Sequence, residues 1–342
     1  VISSWGSSGG VSSLLNSAGF ILPFFDAGSG AVNTTLYRGT GSATFTRATT
    51  ATTVNSSGLI VSVASGVARS YYDPTTLAYM GYLAEGARTN LVLNSLIDGT
   101  DFSTQSVSVA AVAHTLSFYG TGTITLSGAS TAGPLVGTGV YPQRVSLTFT
   151  PSAASLTLTV TGSCKFVQLE VGSFASSFIP TAGSSVTRNA DVLTYPSAGN
   201  VLTATGTVYF EQSQSSNASA GVFLSINEGA AINERITILD TSANGGSRGL
   251  VVSGGAVTAD ITVGSSAAGS VNKRAMCWSS AYTNVCQNAT LGTADVSSTM
   301  PATFTRIEIG AQNELSPSYG AIRNVRIFQT QLSASQLEAV TQ

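Results

Sequence analysis

The stretch Leu156-Thr157-Leu158-Thr159-Val160-Thr161 alternates apolar and hydroxyl residues without a break. A period of two sends every other side chain to the same face of an extended chain, whereas a helix needs a period near 3.6. The stretch therefore reads as a half-buried strand, apolar inside and threonine outside. Leu147-Thr148-Phe149-Thr150 repeats the pattern. Threonine is β-branched, so it favours the pleated surface it would cover.

Comparable runs recur along the chain. Ser42–Ala48, Leu59–Val63 and Tyr79–Leu83 come early, with turn signals at Asn55-Ser56-Ser57-Gly58 and Asp73-Pro74. Ser106–Ala111, Thr115–Tyr119, Thr123–Ser127, Arg144–Thr150, Ser155–Thr161 and Lys165–Glu170 follow. Thr207–Glu211, Gly221–Ile226, Arg235–Leu239, Gly249–Ser253, Val257–Val263, a hairpin over Lys273–Gln287, Thr305–Gly310 and Ala321–Phe328 complete the set. Short strands at this spacing predict sandwiches or jelly rolls. The expected fold class is all-β: two antiparallel β-sandwich or jelly-roll domains, a short N-terminal arm and a C-terminal helix. Ser333 is placed to cap that helix with Gln336 three residues on, and Leu332, Leu337 and Val340 to face the sheet.

Three successive units are expected: residues 1–34, 35–190 and 201–342, with Pro180–Asn200 as a linker or crossing segment. In the first, Val11–Leu22 can form a short helix that Pro23 interrupts. Phe20, Ile21, Leu22, Phe24 and Phe25 make a hydrophobic plug, and Trp5, in the stretch before them that is expected to be flexible, joins them as a candidate attachment residue. A segment this short and apolar cannot bury itself alone, so it packs on its own domain or docks on another subunit. The chain opens at Val1 without methionine or a secretion signal, which suggests that something was removed or that a longer gene product precedes it.

Charged residues make up only 9% of the 342, and the net charge is −2. With no basic stripe, phosphate-driven nucleic-acid binding has no electrostatic basis. No apolar run approaches the roughly 20 residues of a spanning helix, so membrane insertion is not expected. Lys165 and Lys273 are the only lysines, and the arginines suit buried polar networks. Glu85 and Arg88, three apart around Gly86, read as a turn fixed by an ion pair, with Asn90 bonding to backbone. Cys277 and Cys286 would face one another across a hairpin with Ala281 and Tyr282 at its tip; a disulfide and two reduced thiols both remain open, and Cys164 is free in either case.

Signals of catalysis are sparse, so the chain is read as a non-enzyme. Glu211, Glu228, Glu234, Asp240, Glu308 and Glu314 are scattered, not paired as sugar hydrolysis requires. His114 is the only histidine and starts a strand. Asp240, Asn244, Asp260 and Asp295 could offer oxygens to calcium, but their spacing forms no acidic cluster, so no metal or cofactor is assigned. For sugar binding, an exposed aromatic near amides or hydroxyls is needed. Trp278, Tyr282 and Asn284 by the hairpin, and Tyr119 and Tyr141 beside glycine-rich turns, are the candidates.

Two phrases carry a family resemblance. Tyr82-Leu83-Ala84-Glu85-Gly86-Ala87-Arg88-Thr89-Asn90-Leu91 and Val167-Gln168-Leu169-Glu170-Val171-Gly172-Ser173-Phe174-Ala175-Ser176-Ser177-Phe178-Ile179-Pro180-Thr181, with Phe45-Thr46-Arg47-Ala48, resemble modular bacteriophage virion proteins with a carbohydrate-binding-module-like jelly roll. Gly206–Phe210, Lys273–Trp278, Gly320–Phe328 and Leu332–Leu337 resemble a concanavalin A-like (laminin-G-like) sandwich, with Asn288-Ala289 in place of the usual Asn-Gly turn. The resemblance implies a structural protein of the virion surface, a tail fibre, spike or head fibre that displays adhesive modules to a host-surface glycan. It also implies attachment to other virion proteins through the arm and a homotrimer. A capsid decoration or cementing protein is the alternative, and a polysaccharide depolymerase the third reading.

Overall fold

Phe20-Ile21-Leu22 pairs antiparallel with the strand Gly320–Phe328, placing Phe20 opposite Ile327. The two ends of the chain thus share one sheet. The computed structural model describes residues 9–214, 221–229, 231–241, 246–265, 267, 269–312 and 317–342. Among these the protein is all-β apart from two short helices, Gly9–Asn16 and Ala334–Thr341. Neither is long and apolar enough to cross a membrane.

A main sandwich is built from two antiparallel sheets. One runs Phe25–Gly28, Ala31–Asn33, Arg69–Tyr72, Tyr79–Ala84, Gly320–Phe328, Thr205–Gln214, Val271–Ser279, Asn284–Gln287 and Thr290–Leu291. The other runs Ala256–Val263, Gly246–Ser253, Arg235–Thr241, Val222–Asn227, Arg306–Ile309, Val192–Pro196 and Thr44–Thr46. Their shared core holds Phe20, Leu22, Phe24 and Tyr82 from the early chain against Leu193, Val208, Phe210, Trp278, Ile307 and Ile327 from the late chain.

The jelly roll is inserted between these segments. Its sheets run Gln105–Val109, Ala154–Thr161, Thr123–Gly128, Leu135–Val136 and Gly139–Phe149, His114–Gly120, Cys164–Val171. It has a core of its own, including Leu116, Phe118, Ile124, Leu156, Leu158, Val167 and Leu169. Leu156 and Leu158 are buried while Thr157 and Thr159 are not, as their alternation requires.

The three units expected in succession are interleaved here. Val192–Pro196, within the stretch expected to be a linker or crossing segment, is an inner strand with Leu193 and Tyr195 buried. The early helix stops at Asn16, where the Ser17 hydroxyl bonds back to Leu14 O, and Phe20–Leu22 is strand. Phe20, Ile21, Leu22 and Phe24 are buried in this chain's own core, so the plug packs at home; Phe25 is exposed. Trp5 lies outside the described residues. The last helix carries the expected capping box at Ser333 and Gln336. Its Leu337 and Val340 pack with Leu332 on Ala275, Cys277 and Cys286.

Candidate functional site

The two resembling phrases fold against one another at the junction between jelly roll and main sandwich. Glu85 directly follows the strand Tyr79–Ala84, and its carboxylate accepts from Ser177 N, the Ser177 hydroxyl and Arg188 Nη1. Arg69 Nη2 lies 3.0 Å from Glu85 and also bonds Asp191, which accepts from Arg47 Nη1 at 2.9 Å. All five charged side chains are buried. Burial pushes the Glu85 carboxyl up, but Arg188, Arg69 and the Ser177 donors outweigh it and hold it down at about 2.

The expected Glu85–Arg88 pair does not form. Arg88 turns to Glu170 at 3.6 Å, and its guanidinium lies 4.9 Å from the ring centroids of both Phe174 and Tyr319. Gly172, at φ +136°, leaves the space this guanidinium occupies. Asn90 behaves as expected: its amide donates to Val167 O and Ile179 O and accepts from Leu169 N. Each carboxylate here is paired with an arginine, so the junction is a buried fastening.

Beside it lies an open cleft built by two irregularities. The pairing of His114–Gly120 with Cys164–Val171 shifts so that Phe166 and Val167 together oppose Phe118. Phe166 sits in the left-handed region at φ +50°, rare for a bulky residue. Such a bulge redirects a side chain, and the Phe166 ring meets Tyr119 edge-on at 5.8 Å. On the other neighbour, Tyr119 pairs with Arg144 but Gly120 pairs with Gly139, so Val140-Tyr141-Pro142-Gln143 leaves the ladder. That excursion brings Tyr141 to 5.1 Å from Tyr119, and the Tyr141 hydroxyl donates to Gly58 O at 2.6 Å.

Tyr119, Tyr141 and Phe166 are each half-buried around a cavity of about 260 Å³, with Asp98 and Lys165 at its edge. The rings offer faces with a negative quadrupole, and the polar groups offer hydrogen bonds. The sequence pointed to Tyr119 and Tyr141 but not to Phe166, whose placement depends on a register shift with a distant strand.

The other sugar-binding candidates are placed differently. Trp278 is fully buried and packs over Gly206, where any Cβ would meet its ring. Its Nε1 donates to Leu202 O at 3.3 Å. Asn284 is buried and donates to the Tyr282 hydroxyl at 3.0 Å. Tyr282 is half-buried, its carbonyl held by Gln331 Nε2. The hairpin register sets Cys277 opposite Asn284 and Cys286 opposite Ala275, and all three cysteines are free and buried. A tip one residue earlier than expected moves the cross-strand partner by two.

Among the described residues the scattered acids are engaged or buried. Glu211 accepts from Arg323, Asn324 and Tyr209, Glu228 from Asn233 N, and Glu234 from Gly254 N and Ala302 N. Glu308 pairs with Arg306, and Asp260 with Arg248. Asp295 accepts from Ser297 N and Ser298, and Asp240 is buried. Glu314 and Asn244 lie outside the described residues. Among the described residues no group of three His, Cys, Asp or Glu is arranged to hold a metal ion. His114 is buried, with Nδ1 against Val112 O at 2.8 Å and its ring stacked on Phe149.

No family model matches the sequence, and no curated protein matches it. Among solved structures, the chain is similar to the CBM40 module of Ruminococcus gnavus IT-sialidase bound to α2,3-sialyllactose, at 17% identity over 41% of this chain and 83% of that one, with a TM-score of 0.36. It is also similar to a heptameric SAP-like pentraxin from Limulus polyphemus, at 14% identity over 41% and 70%, with a TM-score of 0.33. A third is NanB sialidase from Streptococcus pneumoniae, at 12% identity over 41% and 24%, with a TM-score of 0.36. The β-sandwich architecture itself rests on the strand pairing described above.

Proposed function

We propose that this protein is a non-catalytic, surface-displayed β protein that binds carbohydrate through the aromatic cleft of its jelly roll. The observation that carries this reading is the gathering of Tyr119, Tyr141 and Phe166 around one open cavity, with Asp98 and Lys165 beside them. The C–H face of a pyranose is apolar and slightly positive, so it stacks on an aromatic face, while its hydroxyls need polar neighbours. Of the acids weighed in the sequence for sugar hydrolysis, none that is described lines this cavity, which supports binding without cleavage there.

The setting we propose is the surface of a bacteriophage virion, as part of a tail fibre, spike or head fibre. This rests on the resemblance of the Glu85–Leu91 and Val167–Thr181 phrases to virion modules. Other virion proteins and further copies of the chain, in a trimer, are the proposed partners, and a host-surface glycan the proposed ligand. A glycan array probed with the wild-type protein and Tyr119→Ala tests the binding. Specific signal that the substitution abolishes is expected. Silence on the array, with a weakened capsid when the protein is removed, would favour a shell-cementing role instead. Release of oligosaccharide from host capsule would overturn the non-catalytic reading.

A further inference from the structure

The aromatic cleft does not end at Tyr119. A second cavity of about 170 Å³ adjoins the same ring, between jelly roll and main sandwich, walled by Tyr71 and Phe178 and reached by Arg144. We propose that this cavity takes the carboxylate of an acidic sugar on Arg144, so that the glycan bound is anionic. The proposal rests on the carbohydrate reading above and deepens it.

Arg144 is fixed before any ligand arrives. It sits directly opposite Tyr119 in the strand pairing, with its guanidinium 5.7 Å from the centroid of that ring. Nη1 donates to Ser176 O at 2.6 Å and Nη2 to the Ser117 hydroxyl at 2.8 Å. Both acceptors are neutral. One N–H on each Nη is thereby used, which holds the planar fork in place and leaves the other for a guest.

What Arg144 lacks is a counter-ion. The other arginines of the junction each have one: Arg47 and Arg69 share Asp191, Arg69 and Arg188 share Glu85, and Arg88 has Glu170. Among the described residues no carboxylate forms an ion pair with Arg144. Two acids do line its cavity, and both are committed elsewhere. Asp73 accepts from Thr75 N, Thr76 N and the Thr76 hydroxyl within its own turn. Glu85 is taken by Arg188, Arg69 and Ser177. A guanidinium held by two neutral acceptors beside an aromatic face is suited to a carboxylate, which it can grip with two parallel bonds. A neutral sugar in the same place would leave the cation without a partner, which is a basis for discrimination.

The test is an array of matched pairs, each uronic-acid-containing oligosaccharide printed beside its carboxyl-reduced alcohol, read with wild type, Arg144→Gln and Tyr119→Ala. Wild type is expected to favour the carboxylate form tenfold or more. R144Q is expected to bind both forms as weakly as wild type binds the reduced one, and Y119A to bind neither. Equal wild-type signal on the two forms overturns the acidic pocket and leaves the glycan reading standing; that comparison needs no variant to fold. A carboxylate preference that survives in R144Q also overturns the pocket. Wild-type silence on every pair overturns the glycan reading itself.

Discussion

Ser177 and Glu85, 92 residues apart, meet through two hydrogen bonds: the Ser177 N–H donates at 2.8 Å and its hydroxyl at 2.6 Å, one to each carboxylate oxygen. The contact ties the segment leaving the jelly roll to the end of a strand in the main sandwich. Arg188 reinforces it, donating to both Glu85 and the Ser177 hydroxyl. The cleft lies beside this fastening, so the fastening fixes where its walls stand.

Removing the Glu85 charge leaves Arg69 and Arg188 buried beside a neutral amide. Glu85→Gln is expected to cost about 3–5 kcal/mol, the range for breaking a buried ion pair from one side. The Arg248–Asp260 pair, with side chains 41% and 42% exposed, is the control. Asp260→Asn there is expected to cost under about 1 kcal/mol. Urea titrations of the two variants check both.

The same carboxylate sets an acid limit. Its folded value, about 2, lies below its ordinary 4.5, so its contribution is fully present above about pH 4.5 and is lost as pH falls through about 2. The unfolded chain takes up that proton first. The urea midpoint is expected to fall across this window, and E85Q to remove part of the slope.

Burial of the Trp278 indole against Gly206 gives a pair of substitutions. Trp278→Ala is expected to cost about 3–5 kcal/mol through the cavity it leaves. Gly206→Ala, which drives a methyl into the ring, is expected to cost about 1–3 kcal/mol. Thermal unfolding of both separates a core tryptophan from a surface platform, where neither change would matter.

Cys164, Cys277 and Cys286 carry a further expectation. Burial pushes the Cys164 thiol up to about 11 and raises the other two, so the reactive thiolate is scarce in the folded protein. Without reductant, unfolding is expected to expose three titratable thiols. A count of one would mean that Cys277 and Cys286 are bonded.

Local pattern made the strands legible. Threonine alternation located the jelly-roll ladders, and Ser333 with Gln336 located the last helix, because both signals act between near neighbours. Pairing between distant segments left no such trace. Val192–Pro196 follows Asp191 and precedes Ser197, so its flanks look like linker, yet its partners are Thr44–Thr46 and Arg306–Ile309. Glu85 has Arg88 close in sequence, but its true partners, Arg188 and Arg69, are set by the meeting of sheets. Tyr119 and Tyr141 were legible as aromatics beside turns. Phe166 was not, because only the opposing strand reveals the bulge that turns it. Arg144 was masked as one more charge on an alternating strand.

Hydrogen–deuterium exchange, with and without the glycan that an array identifies, tests the location of the site most directly. Protection is expected at Asp98–Gly99, over 139–144 and over 164–168, the segments that surround Tyr119. Protection confined to the hairpin around Tyr282, with the jelly roll unchanged, would contradict it.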